Sequence, residues 1–300
     1  MTGNKEIPEL ETPVCLRAPE RISAPLLFSS PHSGRIYPRA FLDASRLDAN
    51  TLRTSEDSFV DELFGDVVSL GVPLLRALFP RAYLDVNREP YELDPRMFDG
   101  GLPPFANTRS VRVTGGLGTI ARVVADTHEI YDRPLGVDEA MTRIEKLYIP
   151  YHRMLGRQLV ALRRLFGVAI LIDCHSMPSI AASDEQSARP DFVLGDRYGT
   201  SCSIRITDEV QGVLENLGYS VRRNKPYAGG YITERYGKPV RRLHALQIEV
   251  NRALYMDEGS FDKAPGFAQT KADLTTLARN LVSLVSLDPA WLAPPREAAE

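Results

Sequence analysis

The run Val168-Ala169-Ile170-Leu171-Ile172-Asp173-Cys174-His175-Ser176-Met177-Pro178 sets an imidazole just past five consecutive apolar residues. A parallel strand reads as a continuous apolar run because helices cover both faces of its sheet. In open α/β sheets, ligands bind outside the carboxyl ends of such strands. His175 is therefore expected at a functional strand end. Pro25-Leu26-Leu27-Phe28-Ser29-Ser30, followed by Pro31-His32-Ser33-Gly34, has the same form. Two strand-end histidines in one sheet can meet in a single site.

Working outward, residues 1–20 read as an extended, proline-containing lead-in and 25–30 as the first strand. The apolar spacing of Phe59, Val60, Leu63, Phe64, Val67, Val68 and Leu70 is helical, with Ser55 as N-cap and Gly71 as the stop. Short strands are expected at Pro73 to Leu78 and at Ala82-Tyr83-Leu84-Asp85-Val86. Residues 89–136 are irregular, and a loop of that length inside a compact domain is usually functional. Thr114-Gly115-Gly116-Leu117-Gly118 lacks the Lys-Ser/Thr of a phosphate loop and reads as a turn. Asp138 to Phe166 is a long helical pattern, with a kink or break expected at Pro150. Further strands are expected at 192–194, 219–221 and 243–250, a helix from about Ser203 to Leu217, and a last helix over about 267–285. Residues 287–300 read as a tail. Strands alternating with helices argue for an α/β fold around a mostly parallel sheet. With no repeat and no dividing linker, one domain over 1–300 is expected.

Composition narrows the function. The 43% hydrophobic and 25% charged content of the 300 residues is that of a globular protein. A net charge of -3 leaves no basic footprint for nucleic acid. No run approaches the ~20 apolar residues of a membrane span, and Met1 to Pro8 has no apolar signal-peptide core. Three scattered cysteines, Cys15, Cys174 and Cys202, make neither a disulfide framework nor a four-cysteine zinc module. The expected setting is a reducing cytoplasm.

The polar residues just past strand ends are His32, Asn87, Arg88, His175 and Glu249, and Asp57 sits at a helix start. Two neutral imidazoles and one carboxylate are the usual three-ligand set of a hydrolytic zinc site, with a fourth position for water. A non-ligand carboxylate such as Glu249 can take and return a proton, and a strand-end arginine can clamp a substrate carboxylate through paired hydrogen bonds. Each has a structural alternative. A strand-end histidine can bond a loop carbonyl, Asp57 can serve the helix dipole, and Asn87-Arg88 can end a strand in a salt bridge. His128 and His244 lean to structural roles. Cys174, pointing to the face opposite its neighbour His175, reads as a core thiol.

Taken in order, a set of segments resembles the N-formylglutamate amidohydrolase family, zinc-dependent amide hydrolases related in fold to the zinc carboxypeptidases and aspartoacylase. They begin with Ser30-Pro31-His32-Ser33-Gly34, Glu56-Asp57, Tyr83-Leu84-Asp85-Val86-Asn87-Arg88 and Gly116-Leu117-Gly118-Thr119-Ile120-Ala121-Arg122. Ile149-Pro150-Tyr151-His152, Asp173-Cys174-His175-Ser176-Met177-Pro178 and Pro190 to Gly195 follow, then Gly229-Gly230-Tyr231-Ile232-Thr233 and His244 to Glu249. The resemblance spans roughly residues 25 to 256. It implies a phosphorylase/hydrolase-like three-layer fold, a mixed sheet with helices on both faces. It also implies one zinc ion per chain on His32, His175 and a carboxylate, with Glu249 as general base. Asn87 and Arg88 would hold the substrate's carboxylate. Arg122, Tyr151, His152 and the Gly229-Gly230-Tyr231 loop would be secondary contacts. The implied substrate is a small N-acyl amino acid, with N-formyl-L-glutamate giving formate and L-glutamate.

Two departures bear on this reading. The carboxypeptidase relatives carry a ligating glutamate three residues after the first histidine, and here that position is Arg35; Asp57 fits the family's acidic position better than Glu56. In the subset tied to histidine breakdown an aromatic residue follows the aspartate, whereas here it is Ser58. The competing readings are a carboxypeptidase-like metallopeptidase acting on short peptides and a non-catalytic amino-acid-binding protein on the same fold.

Overall fold

The computed structural model describes residues 6–124, 128–179 and 190–287; Asp126 and Thr127, and the tail beyond Leu287, lie outside them. By Cα proximity the chain divides into two compact units. One holds Pro31–Ser58 and Arg76–Leu155 with the N-terminal residues up to Cys15, and the other Leu16–Ser30, Phe59–Leu75 and the chain from Gly156 onward.

The main sheet is built from β1 (Val14–Arg17), β2 (Leu26–Ser30), β3 (Leu74–Ala77), β4 (Ala169–Met177), β5 (Phe192–Gly195), β6 (Val221–Arg223) and β7 (Leu243–Asn251). Its strand order is β1-β3-β2-β4-β7-β5-β6. The pairs β2–β4, β4–β7 and β5–β6 are parallel, and β7–β5 is antiparallel, so the sheet is mixed as expected. All nine residues of β4 are buried, as its unbroken apolar lead requires. Residues alternate faces along a strand. Ile170, Ile172 and Cys174 of β4 and Leu246, Ile248 and Val250 of β7 therefore point to one side. There they join a core with Ile206, Val210 and Leu214 of α2 (Ile204–Asn216) and Leu274, Leu277 and Leu281 of α4 (Phe267–Leu287). The opposite side presents Asp173, His175, Gln247 and Glu249. The short helix α3 (Tyr231–Tyr236) packs on β4 and β7. Among the described residues no helix is long and apolar enough to cross a membrane.

Ile172 is fully buried in that core. Ile172→Ala is expected to cost about 2–5 kcal/mol from lost transfer energy plus the cavity left behind. A chemical denaturation midpoint unmoved by the substitution would contradict this packing.

Three local expectations change. The Ser55–Leu70 helix is shorter and divided, with an α turn at Val60–Leu63 and a 3-10 segment at Gly65–Leu70. Phe59 precedes it at φ 64, and the Ser55 hydroxyl donates to the Leu52 carbonyl rather than capping. The apolar run Ala82–Val86 is buried but not extended, because Tyr83 and Leu84 both turn back to the Pro80 carbonyl. Burial imposes an apolar composition on a packed turn as well as on a strand. The 138–166 pattern forms one continuous helical segment, comprising Val137–Arg143, a π turn at Ile144–Tyr148 and α1 (Ile149–Phe166). Proline lacks the N–H that an α turn would use and crowds the carbonyl four residues back. The irregularity before Pro150 is thus a widened turn instead of a break.

Candidate metal centre

Three adjacent parallel strands carry the expected chemistry at their carboxyl ends. Ser29 of β2 is in register with Asp173 of β4, and His175 with Glu249 of β7. His32 follows β2 in a tight turn. At Gly34 a β-carbon would lie 2.2 Å from the Phe79 carbonyl oxygen, so only glycine permits this close backbone approach. The same turn places the Asp57 N–H on the His32 carbonyl at 3.1 Å.

His32, Asp57 and His175 are all buried, and each offers one ligand atom; these atoms lie within 4.8 Å of one another. The His32 Nε2 donates to Asp85 Oδ1 at 2.8 Å, and its Nδ1 lies 3.4 Å from Asp57 Oδ2. Burial on its own would raise the Asp85 carboxyl, but Arg81, Arg88 and His32 outweigh it and hold it well below the usual carboxylate range. An ionised carboxylate only accepts, so Nε2 carries a proton and Nδ1 is the ring nitrogen that faces Asp57. His175 repeats the arrangement, with Nε2 on Asp173 Oδ2 at 2.9 Å. Carboxylates behind ligating histidines orient the ring and raise its basicity in metal sites. A ring nitrogen and a carboxylate oxygen held face to face in a buried site can both bind a cation placed between them. The donor set, two imidazoles and one carboxylate, is that of catalytic zinc. The residues fit a metal ion.

Glu56 is committed elsewhere. It accepts from the Tyr37 hydroxyl, from Ser58 Oγ at 2.8 Å and from Arg53 Nε at 3.4 Å. Burial, followed by the charge of Glu56, pushes the Tyr37 phenol far above its usual range, so it remains a donor.

Glu249, on β7 beside His175, accepts from Gln247 Nε2 at 2.8 Å. The Gln247 Oε1 in turn accepts the Gly230 N–H at 2.9 Å, at the entry to α3. This chain of amide groups fixes which way the carboxylate faces. Cys174 points into the core on the opposite side, where burial and then Asp173 push its thiol well above the ordinary range.

Arg88 is nearly buried. Its Nε donates to the Leu117 carbonyl at 2.8 Å and Nη1 to the Asn87 carbonyl at 3.0 Å, with Nη2 3.6 Å from Asp85 Oδ2. Burial lowers it to about 10, against the pull of Asp85, so it is charged at neutral pH. A guanidinium has five N–H donors, and those not directed to the two carbonyls or to Asp85 can meet a further carboxylate. The Asn87 N–H donates to Asp85 Oδ1 at 2.7 Å. One carboxylate, Asp85, thus ties His32 to the Asn87-Arg88 pair.

The bonds of the remaining candidates go to protein groups. Arg122 donates to Asp94 at 3.0 Å and to Glu129 at 2.8 Å, beside a cavity of about 260 Å³ lined by Arg96, Tyr131 and Arg133 among others. His152 bonds the Val86 carbonyl at 2.9 Å. Of the two histidines read as structural, His128 is exposed, and His244 is buried with its Nδ1 accepting the Ser203 N–H. Sequence reasoning passed over Asp85, Asp173 and Gln247. Two of them carried a usable signal: each lies two residues before a candidate on the same strand, hence on the same face.

Strand-end histidines grouped with an aspartate, with a glutamate on the next strand, give this α/β protein a site that could hold a metal ion. The model of the N-formylglutamate amidohydrolase family matches residues 24–256, and the chain belongs to that family. It is 30% identical over 267 residues to the N-formylglutamate deformylase of Pseudomonas aeruginosa, covering 88% of this chain and 91% of that one. It is 31% identical over 237 residues to the N-formylglutamate deformylase of Pseudomonas putida, covering 78% and 82%. The crystal structure of N-formylglutamate amidohydrolase from Ralstonia eutropha JMP134 superposes with a TM-score of 0.86 at 38% identity, covering 91% of this chain and 98% of that one.

Proposed function

We propose that this protein is a zinc-dependent amidohydrolase that cleaves N-formyl-L-glutamate to formate and L-glutamate. The observation that carries the reading is the buried His32, Asp57 and His175 group, with Glu249 in register beside His175. His32, Asp57 and His175 would hold zinc, which when bound would supply Lewis acidity for acidifying a water towards a pKa of ~7 and for polarising the amide carbonyl. Glu249, aimed by Gln247, takes the proton of the attacking water and returns it to the departing amine nitrogen. Arg88 pairs with the substrate's α-carboxylate and Asn87 adds a polar contact, so the amide is presented in one orientation. Asp85 and Asp173 keep both imidazoles in the ligating tautomer. Arg122 and His152, engaged by Asp94, Glu129 and the Val86 carbonyl, would shape the substrate side through those groups rather than by touching the substrate. The Ser58 hydroxyl, where relatives acting in histidine breakdown carry an aromatic ring, is engaged by Glu56. The proposed setting is a reducing cytoplasm, which accords with three unpaired cysteines, two of them buried.

Purified protein is expected to hold about one zinc per chain and to release formate from N-formyl-L-glutamate. Chelation should abolish turnover and added zinc should restore it. A panel of formyl-, acetyl- and peptidyl-amino acids measured in parallel separates this activity from a carboxypeptidase-like one. Protein that holds no zinc and gains no activity with zinc added would sink the proposal.

A further inference from the structure

The residues that present Arg88 and Asp85 are held from behind by one helical segment, and its π turn has a geometric consequence. Arg143 Nη1 donates to the Tyr83 carbonyl at 3.1 Å, His152 Nε2 bonds the Val86 carbonyl at 2.9 Å, and the Tyr148 hydroxyl donates to the Arg88 carbonyl at 2.7 Å. Three backbone carbonyls of one irregular loop are thereby fixed by three side chains. Arg143 is fully buried, with its guanidinium 4.0 Å from the centre of the Tyr83 ring. The Tyr148 and His152 rings pack at 4.2 Å between centroids.

At about 100° per residue, an uninterrupted α-helix would place Tyr148 about 140° and His152 about 180° around the axis from Arg143. The turn is widened, with the Ile149 N–H bonding the Ile144 carbonyl five residues back. One inserted residue rotates all later positions back by about 100°, to about 40° for Tyr148 and about 80° for His152. The three side chains then share a face, and that face meets the loop.

We propose that the π turn exists to align this face, and that Tyr148 is a positioning residue for Arg88. The inference rests on the reading of Arg88 as the substrate-carboxylate clamp. The Tyr148 hydroxyl holds the Arg88 carbonyl, while the side chain of the same residue is steered by Leu117, Asn87 and Asp85. Loss of the hydroxyl frees the backbone from which the clamp projects. The Asp85 bonds to His32 and to the Asn87 N–H are expected to keep the His32, Asp57 and His175 group in place.

Tyr148→Phe keeps the ring and its packing on His152. With N-formyl-L-glutamate it is expected to raise KM about tenfold, with kcat within about twofold and zinc content unchanged. In an Arg88→Gln background, Tyr148→Phe should raise KM no further, because both changes act on one interaction. As a second arm, His152→Gln, which can still donate to the Val86 carbonyl, should stay closer to the parent KM than His152→Leu. A lowered melting temperature with unchanged KM in Tyr148→Phe would overturn the proposal, as would independent, multiplicative effects of Tyr148→Phe and Arg88→Gln. If Arg88→Gln itself left KM unchanged, the clamp reading would fall, and this inference with it. If Arg88→Gln raised KM and Tyr148→Phe did not, only the inference would fall.

Discussion

Glu249→Gln is expected to lose about 10²–10⁴-fold in kcat on N-formyl-L-glutamate while still binding about one zinc per chain. The size follows from the work assigned to the group. A positioned carboxylate takes a proton from water and delivers it to a nitrogen that would otherwise leave as a poor amide anion. A glutamine is nearly isosteric and can still accept from Gln247 Nε2, so the hydrogen bond now at 2.8 Å has no reason to break. Proton transfer is the property removed. Because Glu249 is not among the three grouped ligand residues, the metal should stay. Parallel assays of formate release and zinc content separate the two effects. A kcat within tenfold of the parent would remove Glu249 from the chemistry, and loss of zinc together with activity would make it a ligand.

The second large effect concerns the adjacent acids. Asp57→Ala is expected to weaken zinc binding by more than the ~10–100-fold typical of losing an outer partner, because a direct ligand disappears. Glu56→Gln should retain the metal. Asp57 Oδ2 faces His32 Nδ1, whereas Glu56 is surrounded by Tyr37, Ser58 and Arg53. A competition titration against a chelator measures both variants on one scale. The assignment is wrong if the order of the two affinities is reversed.

The adjacency of these acids shows where sequence reasoning stops. Residues one apart in a non-repeating loop have no fixed relative orientation, so spacing alone could not divide Glu56 from Asp57, and only the family resemblance favoured Asp57. Phe59 at φ 64 and the bond from the Asp57 N–H to the His32 carbonyl set that orientation. The strands were different. In β4 and β7 side chains alternate, so the apolar runs announced both the strands and the faces on which His175 and Glu249 would stand. The same period-two logic could have found Asp173 and Gln247. Asp85 was hidden by a wrong premise, since Ala82–Val86 is a buried turn rather than a strand. The kink expected at Pro150 was placed within a few residues, but a π turn cannot be told from a break by composition.

The sequence by itself determined the α/β class, the strand ends that carry the polar residues, and the chemical types available there. Those depend on local periodicity and on side-chain chemistry, which any short window contains. Only the tertiary structure brings Asp57 to the two histidines while giving Glu56 to Tyr37, Ser58 and Arg53. It likewise showed that Asp85 serves His32 and Arg88 at once, and that Tyr148 reaches the Arg88 backbone from 60 residues away. Such choices follow from which loops close onto which strands. That closure is a balance of buried contacts and satisfied polar groups across the whole chain, and no window of sequence holds it.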